Sequence, residues 1–190
     1  GTLIVAEAGR DNIDEVNVVE PGANYGWPAR EGTLVHTAGG TLWNGVLPLP
    51  VGDESFGYTY PAMQFLHRGV RGATFTGQSI GGGYVVENGS ALGGHYFATD
   101  FVFSGDVFVT PLASLKAAVT RGPAASLRMA PIARALVRFD HDNNPATPPL
   151  QLPNLREMTL MAPGYDGSSR VGIRYGQGPG GELYLLSKRD

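Results

Sequence analysis

Short apolar runs recur along the whole chain, each opened or closed by glycine or a polar turn former. This pattern predicts many short strands joined by turns. Residues 2–6, 94–100 and 181–186, rich in β-branched and aromatic side chains, read as buried strands. Residues 16–19 alternate apolar and polar before the turn Glu20-Pro21-Gly22, residues 106–109 follow the turn Ser104-Gly105, and 83–86 and 135–139 add two more strands. One helix is predicted over residues 111–120, where Leu112, Leu115 and Val119 recur at three- and four-residue spacing and Lys116 faces away; residues 124–129 are a brief second candidate. Residues 140–149 read as a polar, proline-rich connection, and no linker divides the chain into two domains. Strand-turn units without alternating helices leave sandwich, barrel and propeller open.

Composition narrows the function classes. The 190 residues are 42% hydrophobic and 16% charged, enough for a sizeable core, and the 28 glycines and 14 prolines are spread between the apolar runs. A formal net charge of -3 gives no footprint for nucleic acid or an anionic membrane. The absence of cysteine excludes disulfides, thiolate metal sites and cysteine nucleophiles. No apolar stretch reaches the roughly 18 residues of a membrane helix, so no transmembrane segment is expected. His36, His67, His95 and His141 lack metal-ligand spacing and read as satisfied strand or loop residues. The loop with Asp140, Asp142, Asn143 and Asn144 lacks the glycine and terminal glutamate of a helix-flanked calcium loop, and the glycine-rich run from Gly176 to Gly181 reads as a turn before a strand.

One motif is specific. Asp14-Glu15-Val16-Asn17, then Pro21-Gly22-Ala23-Asn24-Tyr25-Gly26-Trp27-Pro28, then Glu31-Gly32 resemble, in order and spacing, the signature of the glucose/sorbosone dehydrogenase family. Tyr60-Pro61 with Phe65 and His67, Ile80-Gly81-Gly82-Gly83-Tyr84-Val85, Gly94-His95-Tyr96-Phe97-Ala98-Thr99-Asp100-Phe101 and Arg170-Val171-Gly172-Ile173-Arg174 resemble later motifs. The resemblance implies an all-β chain, part of a six-bladed β-propeller. About three blades of four-stranded antiparallel sheet would be present, corresponding to the C-terminal half of the ring. A half ring would leave apolar faces on its first and last sheets, so the missing propeller half or another protein chain is expected as partner.

The family's characterised sugar enzymes use pyrroloquinoline quinone held by a calcium ion, and the resemblance implies both cofactors, a sugar or other polyol substrate, and a periplasmic or extracellular location. Their catalytic histidine lies in a motif N-terminal to this region, so no residue here is assigned that role. The resemblance marks Gly9, Asp14 and Glu15 as candidate calcium positions, since calcium prefers oxygen ligands. Set against this, Asp14 and Glu15 also suit a purely local task, pinning the turn that feeds the next strand by accepting backbone N–H bonds. Arg170 and Arg174 match arginines placed against the cofactor's carboxylates, with inter-blade ion pairing as the alternative. Gly172 stands where the sugar enzymes carry a further arginine. Trp27 is expected to be architectural, burying a large area between blades, in preference to a sugar platform. A non-catalytic propeller, serving as a binding or structural module in a larger assembly, is the alternative function.

Overall fold

The computed structural model describes residues 1–37, 45–67, 76–77, 79–86, 92–100, 107–136 and 174–186. Strand β1 (Ile4–Glu7) alternates half-buried and exposed positions and pairs antiparallel with β2 (Ile13–Val18), Ala6 opposite Val16 and Glu7 opposite Glu15. The chain then leaves this sheet for a three-stranded excursion of β3 (Arg30–Glu31), β4 (Leu34–His36) and β5 (Val46–Pro48). It returns beside β2 as β6 (Met63–His67), and β7 (Thr76–Gly77) closes the first sheet in the order β1-β2-β6-β7.

The second sheet is a meander of β8 (Ile80–Val86), β9 (His95–Asp100), β10 (Val107–Pro111) and β11 (Ala133–Leu136), each strand beside its sequence neighbour. Helix α1 (Leu112–Lys116) follows β10, and β12 (Arg174–Gln177) pairs with β13 (Leu183–Leu186).

Period-two alternation decides how the sheets stack. Val16, Met63 and Phe65 of the first sheet pack against Ile80, Tyr96, Ala98 and Phe108 of the second, with the Phe65 and Phe108 rings 4.8 Å apart. The other face of the second sheet carries Val86, Phe97, Val107 and Val109, and Tyr175 and Leu183 of the β12-β13 pair close over it. The middle sheet is therefore covered on both faces, which is why β9 is buried at almost every position. Apart from α1 and two short 3-10 turns, the regular elements among the described residues are strands. Small, mostly antiparallel sheets stacked face to face are consistent with part of a propeller.

The structure also departs from the sequence reading, with physical reasons. The helix ends at Lys116 because Val119 exchanges backbone hydrogen bonds with Arg128, so Val119 leaves the apolar stripe and is exposed. The second helical candidate shrinks to a 3-10 turn, Ala124–Ser126. Strand β2 begins at Ile13 and so takes in Asp14 and Glu15. Against the expected all-antiparallel sheets, β6 and β7 run parallel. The outer face of the first sheet carries Glu7, Glu15, Asn17 and Gln64 beside Val5, Ile13 and Leu66, and is mixed where an apolar face was expected. Residues 137–150 and Arg170 lie outside the described residues.

If the Phe65/Phe108 contact holds the two sheets together, Phe108→Ala lowers stability by about 3–5 kcal/mol. Val51→Ala, at a fully exposed side chain, changes it by less than about 0.5 kcal/mol. Urea unfolding of both variants checks this, and equal losses would refute the packing argument.

Candidate functional site

The turn between β1 and β2 is gripped from both sides. On the outer side Glu31 of β3 inserts its carboxylate into a nest of consecutive backbone N–H groups: Oε1 accepts from Asp11 at 3.0 Å, Asn12 at 2.7 Å and Ile13 at 3.1 Å. Its Oε2 accepts from the Asn12 side-chain amide at 2.9 Å. Burial alone would raise the Glu31 pKa, but these donors outweigh it and hold the carboxyl below its ordinary value. The next residue returns the grip, since the Gly32 N–H donates to Glu15 Oε1. Gly32 has φ 57°, and a Cβ there would meet Gln64 Oε1 at 2.6 Å, so the close approach of β3 to the sheet needs glycine.

Gly9 is equally constrained. A Cβ at this position would lie 1.7 Å from the Ile13 carbonyl oxygen and 2.8 Å from Glu31 Oε1. Its N–H donates to Asp14 Oδ1 at 3.0 Å, and the same oxygen lies 2.9 Å from His67 Nε2.

Asp14 and Glu15 are neighbours on one strand, so their side chains leave opposite faces of the sheet. Asp14 is fully buried on the side shared with Phe65 and His67, and its Oδ2 has no partner among the described residues. Burial pushes its carboxyl up, a shift opposed by His67 and Gly9 and reinforced by the charge of Asp100. Burial acts downward on His67, but its hydrogen bond and ion pair with Asp14 prevail and raise its pKa. Glu15 points to the outer side, where burial raises its pKa against the hydrogen bonds from Gly32 and Asn17, with Glu7 and Glu31 adding to the rise.

On that outer side lies a cleft of about 210 Å³, lined by Glu7, Gly9, Glu15, Glu31, Tyr25 and Trp27, among others. Tyr25 is fixed by donating to the Val18 carbonyl at 3.1 Å and accepting the Glu20 N–H at 3.0 Å. Trp27 is 50% exposed, with its ring 5.0 Å from that of His36, so it stands at the cleft and not buried between sheets as the sequence reading had it. Arg30, also in the lining, is held by Asp53, which in turn accepts from Tyr60, and its guanidinium lies 4.9 Å from the Tyr58 ring centre.

Of the five candidate residues, Gly9 and Glu15 thus share one cleft. Asp14 faces away from Glu15, and Arg174 opens β12, on the far side of the second sheet. Glu7, Glu15 and Glu31 line the cleft together with Arg10 and Arg30, whose charges are paired with Asp11 and Asp53, and the three carboxylates suit a hard cation such as calcium. Among the described residues no three His, Asp or Glu side chains form a group that could hold a metal ion, so backbone carbonyls would have to complete the set.

The sequence marks the Glu31-Gly32 dipeptide without a task and reads His67 as a satisfied strand or loop residue, which it is, hydrogen-bonded in β6 to Asp14. Only the fold shows that Glu31, from the excursion, and His67, from β6, close on the same turn. The glucose/sorbosone dehydrogenase family model matches residues 1–42, the stretch that contains this turn, Tyr25, Trp27 and the Glu31-Gly32 pair. No solved structure matches the chain. No helix among the described residues is long and apolar enough to cross a membrane.

Two outcomes follow from the turn. Gly9→Ala forces a Cβ onto backbone, which cannot swing aside as a side chain would, and should cost at least about 1–3 kcal/mol in urea unfolding; an unchanged midpoint would disprove the close packing. His67, with its raised pKa, contributes stability that is complete below its unfolded value near 6.5 and is lost as pH rises through the folded value. Unfolding midpoints should therefore fall above about pH 6.5 in the native chain and stay level over that window in His67→Gln. Parallel declines would show that another group is responsible.

Proposed function

We propose that this chain is the C-terminal portion of a quinone-dependent sugar or aldose dehydrogenase-like propeller. The observation that carries the reading is the oxygen-lined cleft at the Gly9 turn, built by the stretch that matches the family model. In this reading the cleft takes the calcium ion that accompanies pyrroloquinoline quinone, with Gly9 and Glu15 as its residues and Asp14 bracing the turn from behind. Arg170 carries a guanidinium group suited to the cofactor's carboxylates, whereas Arg174 stands away from the cleft, on the far side of the second sheet. Bound there, the quinone would supply the hydride acceptor for oxidation of a sugar carbon, with the base for that reaction expected outside this chain.

The chain's own residues hold geometry. Glu31, Gly32 and Asp14 fix the turn, Arg30 and Asp53 stiffen the cleft wall, and Tyr25 and Trp27 border it with apolar surface. A periplasmic or extracellular location, and a partner that completes the ring, belong to the same reading.

Intact mass of the natively purified protein under denaturing conditions tests it first. A mass more than twice 20.1 kDa is expected, and that polypeptide, supplied with the quinone and calcium, should reduce an artificial electron acceptor when an aldose is added. A mass near 20.1 kDa, or no sugar-dependent reduction, would favour the non-catalytic module.

A further inference from the structure

Glu31 is the one carboxylate of the cleft whose charge is spent almost entirely on backbone. Three consecutive N–H groups and the Asn12 amide converge on it, and it comes from β3, outside the sheet whose turn it holds. A turn with adjacent N–H groups pointing one way has its carbonyl groups turned elsewhere, so fixing the donors also fixes the acceptors. On the opposite side the Gly9 N–H is held by Asp14, itself held by His67. The turn between is therefore set by side chains from three strands, β2, β3 and β6.

We propose that Glu31 is a positioning residue for the cation side of the cleft: by occupying the nest it presets the Gly9 turn, so that the oxygens offered to a cation are arranged before it arrives. This rests on the calcium reading above. Glu31 acts through the turn, because its oxygens accept four hydrogen bonds from Asp11, Asn12 and Ile13, where each oxygen of Glu15 accepts one. Preset ligands lose less freedom on binding, so loosening them lowers affinity without removing a ligand.

The test uses the full polypeptide that carries this segment, with calcium alone as the probe. Titration calorimetry gives the affinity, and amide hydrogen exchange at Asp11, Asn12 and Ile13 reports the turn. Glu31→Gln keeps the size of the side chain but removes its charge. It should weaken calcium binding by about tenfold or more and speed exchange at the three amides, with saturating calcium slowing exchange again. Asn12→Ala removes a single donor and leaves the carboxylate in its nest, so it should show a smaller change in the same direction even if the glutamine variant does not fold. A residue needed only for stability would lower the melting temperature and leave calcium affinity unchanged, and that result overturns the proposal. If the unsubstituted protein binds no calcium, the cation reading itself falls and the proposed role goes with it. Binding by the unsubstituted protein, unaltered in both variants, rejects the role of Glu31 alone.

Discussion

A turn pressed against other elements has to satisfy its own backbone, and in this protein that requirement organises everything near the cleft. The N–H groups of Asn12 and Ile13 are buried where water cannot serve them, with that of the half-buried Asp11 beside them, and each unmet buried donor would cost about 1–3 kcal/mol. One carboxylate meets all of them, but it must arrive from outside the sheet. The excursion β3-β5 delivers it. Gly32 then has to lie close against the sheet, Glu15 accepts its N–H, and the outer face of the first sheet becomes mixed as a consequence.

The same constraint separates two acidic residues that adjoin in sequence. Asp14 works between the sheets and Glu15 in the cleft, because a strand sends successive side chains to opposite faces. Either one alone would be an expensive burial. Each is made tolerable by donors already in place, His67 and the Gly9 N–H for one, Gly32 and Asn17 for the other.

Much of the fold was legible in the chain because it is written in local alternation. The runs around Ile4, Tyr96, Val107 and Leu183 are strands in the structure. What escaped was structure held by contacts distant in sequence. Strand β2 begins three residues before the apolar alternation because Asp14 and Glu15 stand between Ile13 and Val16, and no periodicity signals that a buried Asp has found a His 53 residues away. The excursion strands are two or three residues long, too short for any pattern. At the site, the resemblance led to Gly9 and Glu15, which do share the cleft, but it could not show that Asp14 turns away. Trp27 was read by its size, and its actual exposure depends on the path of the excursion beside it.

The first sheet presents two unlike faces, and salt acts on them in opposite directions. The face that meets the second sheet is closed by Phe65, Met63 and Val16, and salts excluded from protein surfaces tighten such contacts. On the outer face dissolved ions screen the exposed charge of Glu7 within roughly 8–10 Å and act far less on the buried Glu15 and Asn17. Excluded salts thus harden the inner seam while weakening only the exposed charge of the outer one. A charged molecule drawn to Glu7 would be held less firmly as salt rises, while the stack behind it stays closed.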